Sequence, residues 1–367
     1  MNRKKLIISF LAGGLVSALA LYVSFRNVPL AGLTEYLARI DYLWYIPTFL
    51  ILVLGFVFRA IRWRILLFPV ARLTFWECFH PMMIGFMMNC ILPGRVGELA
   101  RPVIVNRKHG ASFFGVLATV AAERALDLLG LLVFFIAVMR QVGARHAPQV
   151  EFSGYVLTQA TLDTAVTAMT RLAVVLVLGM VAVSIDPLRR LMAKAIMGAP
   201  SVLVFLPAAA RKRLREGLST PIVGIMERVA QGFGLLKSPG RLILCLALTA
   251  GVWLVAAYSY VLAAKGSPGI GLGFSQLSAV MVIICFFISL PSAPGFWGLW
   301  EAGGIFALAL FGVSDTSSAA GYTLAVHVIQ MAPAILIGFL SAAVMGVNVM
   351  KLTRDEASAP SDPGSQP

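Results

Sequence analysis

Residues 87–110 read MMNCILPGRVGELARPVIVNRKHG. An apolar run reaches Leu92, Pro93-Gly94 breaks it, and Arg95, Glu98 and Arg101 follow at spacings of three. A span that merely ends at a membrane border has no need of helix breakers within its apolar approach. Whether this stretch crosses, ends or turns back decides the fold, and the rest of the chain has to arbitrate.

The 367-residue chain is 59% hydrophobic and only 13% charged, against about 25% charged residues in soluble domains. With several apolar stretches of bilayer-spanning length, it reads as an all-α, polytopic integral membrane protein. The net charge of +14 does not point to nucleic acid, because no basic, aromatic-interleaved soluble module is present. Cytoplasmic loops and anionic lipid headgroups account for it better. Cys78, Cys90, Cys245 and Cys285 lie in apolar segments without a CxxC pair. They read as small buried hydrophobes, so no disulfide, metal or cofactor is expected. The N-terminus, Arg3-Lys4-Lys5 before LIISFLAGGLVSALALYV, has the shape of a signal peptide, and Ala18-Leu19-Ala20 mimics a cleavage site. Its run is long enough to span, which favours an uncleaved signal anchor.

Full spans are expected over 6–23, 43–58, 113–138, 165–184, 242–263 and 319–347. Two regions are odd: 76–92, which runs into the opening stretch, and 275–312, broken by SLPSAPGFWGLWEAGG at 289–304. If both enter the membrane and return to the same side, most of the 30 lysines and arginines become cytoplasmic. Only Arg26, Arg39, Arg140, Arg145 and Lys265 then fall outside. A crossing at 76–92 would invert the later loops and destroy that asymmetry, so the positive-inside rule selects two re-entrant segments. Both termini and residues 94–110 are then cytoplasmic, and 139–163 external, in an inner (plasma) membrane of bacterial type. The breaks resemble each other: PGRVGE begins at Pro93 and PGFWGLWE at Pro294, each with glycines three apart and a glutamate after them. They enter from opposite faces, an inverted-repeat pattern that points to a transporter's central site. Non-helical backbone at membrane depth survives only against protein or a water-filled cavity.

The transmembrane domain is expected over 1–354. Its connector, about 186–241, is basic and amphipathic, with Leu214, Leu218, Ile222, Ile225 and Val229 on one face, suited to the cytoplasmic interface. Residues 355–367 have a disordered composition. Within the third span, Glu123, Arg124 and Asp127 share a broad helical face. Charges at such depth cost about a few kcal/mol each and face the protein interior, as a structural lock or as part of a polar pathway. Asn89, Arg95, Glu98 and Arg101 are candidates for holding a phosphate headgroup, the arginines bidentately; the alternatives are a freed backbone group as the partner of Asn89 and an interfacial loop of solvated charges for the other three. Pro294, Gly295, Gly298 and Glu301 form the second candidate segment, although Glu301 between Trp297 and Trp300 also reads as an interfacial belt residue. Arg59, Arg62 and Arg64 most simply mark a cytoplasmic border. His327 has no partner at ligand spacing and reads as a buried, hydrogen-bonded structural group. The chain has no GxxxxGK[ST], HExxH or GxSxG motif and no soluble catalytic domain.

Taken in order, FRAIRWRILL, N-x-x-L-P-G-R-x-G-E-x-x-R-P (89–102), ERALDLLGL (123–131) and PSAPGFWGLWE (291–301) resemble the flippase-like family named for the membrane half of lysylphosphatidylglycerol synthase. The likeness covers about residues 5–350. It implies a polytopic inner-membrane protein with two re-entrant segments that moves a lipid between leaflets. Its matched positions are Asn89, Pro93, Arg95, Gly97, Glu98, Arg101, Glu123, Arg124, Asp127, Pro294, Gly295, Gly298 and Glu301. The chain ends shortly after its last span, so the soluble aminoacyl-transferring domain is expected to be missing and the substrate is open. The leading expectation is a translocator of an amphiphilic, phosphate-bearing lipid, not an enzyme, with lipid-biosynthesis enzymes as candidate partners. The rivals are a membrane enzyme acting on a lipid-linked substrate and a scaffold for lipid synthesis.

Overall fold

The computed structural model describes residues 3–92, 95–145, 150–152, 155–157, 159–202, 207–232, 238–290 and 293–348. Pro93-Gly94, Pro291-Ser292 and the tail lie outside the described residues. Fourteen helices are described: α1 (Arg3–Phe25), α2 (Leu30–Ala38), α3 (Tyr45–Leu67), α4 (Phe75–Ile91), α5 (Gly97–His109), α6 (Phe113–Arg145), α7 (Gln159–Ser184), α8 (Asp186–Val202), α9 (Ala208–Leu214), α10 (Thr220–Gly232), α11 (Pro239–Lys265), α12 (Phe274–Phe287), α13 (Leu299–Leu310) and α14 (Thr316–Met345). Among the described residues, the sole addition to the all-α expectation is a small antiparallel ribbon between α6 and α7, β1 (Val150–Phe152) with β2 (Tyr155–Leu157).

Five helical segments are long and apolar enough to cross a membrane: Tyr42–Leu67, Phe113–Val142, Asp163–Ser184, Pro239–Lys265 and Thr316–Met345. A sixth is reached if Gly14–Phe25 and Leu30–Ala38, bent by 85°, count as one. The chain is therefore a multi-pass membrane protein. Its helices begin and end where local chemistry satisfies freed backbone groups. Thr74 and Glu77 form a reciprocal capping box on α4. Asp315 caps α14 by accepting from the Ser317 and Ser318 amides. Gly110 and Gly346, both left-handed, close α5 and α14.

The two odd regions are broken helix pairs. In the first, α4 and α5 pack on one another so closely that a Cβ on Gly97 would collide with the Gly85 carbonyl. His109 Nδ1 lies 3.9 Å from Glu77 Oε1, so the far ends of α4 and α5 meet. In the second, α12 packs on α13, and a Cβ on Gly269, just before α12, would stand 3.3 Å from Ser318 Oγ at the start of α14. Lys108 Nζ donates to Met345 O (2.6 Å) and Asp41 N to Gly266 O (2.9 Å). These contacts gather the loops into two end layers, one beyond α5 and α14, the other before α3 and after α11.

Packing is strongest between α3 and α11 and between α4 and α14. The larger core joins α6, α11, α12, α13 and α14 through residues such as Phe135, Tyr260, Leu277, Leu308 and Tyr322. A second core, around Trp63, Leu67, Met82, Met83 and Val116, joins α3, α4 and α6. On the connector Leu188, Leu191, Leu218 and Ile222 are exposed, in keeping with an amphipathic face; the side chains of Ile225 and Val229 are outside the described residues.

Candidate functional site

The two breaks touch. Arg95 Nη2 donates to Ile288 O at 3.1 Å, and the Arg95 guanidinium lies 6.0 Å from the centre of the Phe296 ring. A Cβ on Gly295 would stand 3.1 Å from Cys90 O. Among the described residues Arg95 (φ 54°) and Phe296 (φ 63°) are the two non-glycine residues in the left-handed region, where side chains other than glycine are strained. Each directly follows a Pro-Gly pair. The likeness between the two breaks is thus one of backbone conformation as well as sequence.

Each break also leaves a backbone amide that needs an acceptor. At the first, Asn89 Oδ1 accepts from Gly97 N at 2.9 Å. At the second, Glu301 Oε2 accepts from Gly298 N at 2.7 Å. Helix α1 braces the second break, Ser17 Oγ accepting from Ala293 N at 2.8 Å while the Ser17 carbonyl fills the space beside Gly298.

Adjoining the first break is a buried charge cluster drawn from three helices, α3, α5 and α6. Glu123 on α6 receives Arg101 Nη1 from α5 at 2.8 Å and Arg62 Nη2 from α3 at 3.4 Å. Asp127, one turn further, receives Arg62 Nη2 at 2.5 Å, Arg59 Nη1 at 3.2 Å and Arg124 Nη2 at 3.3 Å. Arg62 also donates to Thr249 Oγ1 on α11 at 2.8 Å. The guanidinium of Arg101 lies 4.5 Å from the Phe86 ring centre on α4. Exposure rises across the cluster: the Arg62 and Glu123 side chains are fully buried, while Glu98 is 28% and Arg124 37% exposed. Arg124 Nε reaches toward Glu98 Oε1 at 3.9 Å, which ties the open edge of the cluster to the start of α5. Four guanidinium groups face three carboxylates, leaving one positive charge in excess. Removing one member of such a set strands its partner in a low-dielectric site.

Of the residues singled out from sequence, Glu98, Arg101, Glu123, Arg124 and Asp127 come together in this cluster, and Asn89 and Arg95 at the first break. Pro294, Gly295, Gly298 and Glu301 form the second break, where Glu301 and Trp300 are buried and do not belong to an exposed belt. One reading needs correction. Arg62 is buried inside α3 and Arg59 shares its pairing, so only exposed Arg64, donating to Leu73 O at 3.0 Å, fits a helix border. His327 is buried and hydrogen-bonded, as expected of a structural histidine: Nδ1 lies 2.6 Å from Glu301 Oε1 and Nε2 lies 2.8 Å from Gly295 O. A signal for the arginines was available, because two acids against one base in the third span demand further cations from elsewhere.

The fold and site define a class: a multi-pass α-helical membrane protein in which two broken helix pairs meet beside a buried, cation-rich cluster. More specifically, the chain belongs to the family described as the lysylphosphatidylglycerol synthase TM region, which matches residues 10–338. This places it among membrane proteins linked to lipid synthesis or translocation. No curated protein and no solved structure matches the chain.

Proposed function

We propose that the protein moves an anionic, phosphate-bearing lipid between the leaflets of a bacterial-type inner membrane, with both termini cytoplasmic, and does not alter the lipid chemically. In this reading the broken pairs are re-entrant segments from opposite faces. The headgroup follows the seam where they meet, and the acyl chains stay in the bilayer. The difficulty such a protein solves is the passage of a charged headgroup through hydrocarbon.

The observation that carries this reading is Arg95. It is exposed at the junction of the breaks and, among the described residues, forms no ion pair; its donor rests on a backbone carbonyl. The four cluster arginines are already matched to acids, whereas the fork of Arg95 is open to phosphate oxygens. Glu98, on the open edge, orients the headgroup. Asn89 and Arg101 act one step back, Asn89 by holding the turn and Arg101 by locking α5 to α6.

The test is relocation of fluorescent phosphatidylglycerol in proteoliposomes made with purified, monodisperse variants. Losing a charge-assisted hydrogen bond worth about 1.5–3 kcal/mol corresponds to about a tenfold or greater fall in rate for Arg95→Ala. Arg95→Lys keeps the charge without the fork and should lie between. Near-normal movement by Arg95→Ala would reduce this motif to an ordinary loop, and a change in the mass of the lipid would make the protein an enzyme.

A further inference from the structure

Four carboxylates line the breaks and the cluster, and three are committed to arginines. Glu98 faces Arg124; Glu123 faces Arg62, Arg101 and Arg124; Asp127 faces Arg59, Arg62 and Arg124. A guanidinium does not surrender its proton in a protein, so each of these acids sits against a fixed cation. Glu301 differs, because its partner is an imidazole that exists in two protonation states.

The hydrogen-bond geometry fixes the proton inventory. Gly298 N donates to Glu301 Oε2, and the Gly295 carbonyl can only accept, so His327 Nε2 must carry a hydrogen. That leaves the 2.6 Å gap between Glu301 Oε1 and His327 Nδ1. Two lone pairs oppose one another there unless one proton lies between them. Both side chains are fully buried. Trp300 stacks on the imidazole with centroids 4.5 Å apart and planes 5° apart, and Trp297 covers it at 4.5 Å, so the ring cannot easily turn aside. With the proton, the pair is neutral overall; without it, a carboxylate faces a bare nitrogen in a dry site. At the turn, α4 brings Cys90, α1 brings Ser17, and the charged group across the break is Arg95.

We propose that Glu301 and His327 together form a binding site for one exchangeable proton, and that loss of this proton releases the Gly295 carbonyl and loosens the second break. The balance is simple: the proton leaves the Oε1–Nδ1 gap for solvent, the one ring hydrogen that remains moves from Nε2 to Nδ1 to face the carboxylate, and the pair goes from neutral to singly negative, leaving two lone pairs opposed between Nε2 and the Gly295 carbonyl. The proposal rests on the translocation reading only in making the proton a coupling ion; as a conformational device it stands by itself.

Maleimide labelling separates the two. In a background lacking the four native cysteines, Phe296→Cys reports on the break and exposed Leu290→Cys corrects for thiolate chemistry. The ratio of their labelling rates should rise about tenfold from acid to alkaline medium, following the population that has lost the proton. Glu301→Gln keeps the hydrogen-bonding shape but has no proton to lose, so its ratio should stay low and flat. His327→Ala removes the clamp and should give a high ratio at every pH. A flat wild-type profile, or an unchanged rise in Glu301→Gln, overturns the proposal; the wild-type profile alone decides if a variant does not purify as a monodisperse protein. Lipid movement plays no part in this readout, so a failure here and a failure of the translocation reading are distinguishable.

Discussion

The two breaks solve the same backbone problem with different chemistry. Both set a residue in the left-handed region after Pro-Gly, and both satisfy a freed glycine amide with a nearby side-chain oxygen. The first takes that oxygen from a neutral amide, Asn89, on the preceding helix, and rests beside acids matched by permanent cations. The second takes it from an acid on the following helix, whose other oxygen meets a histidine between two indoles. Fixed charges make the first break a rigid platform. The second is held by a bond that depends on one proton, so the movable element belongs there.

The sharpest way to break this contrast is at Arg62. Arg62→Met leaves Glu123 and Asp127 short of a buried cation and should cost about 3–5 kcal/mol, read as a large loss of thermal stability in detergent. Adding Asp127→Leu should deepen the loss, since Asp127 is also the acid that faces Arg59 and Arg124 and its removal strands them. A double variant more stable than the single would show that Arg62 and Asp127 act as an isolated pair.

The glycines give the next largest effects. Gly97→Ala brings a methyl group against the Gly85 carbonyl and should cost about 1–3 kcal/mol. Gly298→Ala should cost more, because it meets the Ser17 carbonyl and also sits at φ 91°. Denaturant titration of the two proteins ranks them, and equal losses would remove the conformational part of the argument. The smallest effect belongs to a helix start remote from either break. The Ser318 hydroxyl, with the Ser317 and Ser318 amides, holds the Asp315 carboxyl below its ordinary range. Its stabilising contribution is full above the unfolded carboxylate range and fades as pH falls through the lowered folded value. Asp315→Ala should therefore lose about 1 kcal/mol near neutral pH, and the gap to wild type should close in acid.

Much of this was legible before any coordinates. The apolar runs marked the spans, the Pro-Gly breaks the paired segments, and the acids of ERALDLL most of the cluster. Arg62 was misread because a positive charge near a helix end normally marks a membrane border, and α3 continues to Leu67, further than its apolar run suggests. The partners of His327 were not legible because they lie 26 and 32 residues earlier in the chain, and no local period connects them. The capping role of Asn89 was weighed against headgroup binding from sequence; its close approach to Gly97 N needed the crossing of α4 over α5 to be visible.

The bond from Arg95 to Ile288 has a further implication. A phosphate that accepts from Arg95 Nη2 must displace the Ile288 carbonyl, and that bond is a tie between the first break and the second. Capture of the headgroup and untying of the two halves would then be a single competition for one donor. An empty site would stay latched by its own backbone, and only a cargo with oxygens better placed than a peptide carbonyl would open it.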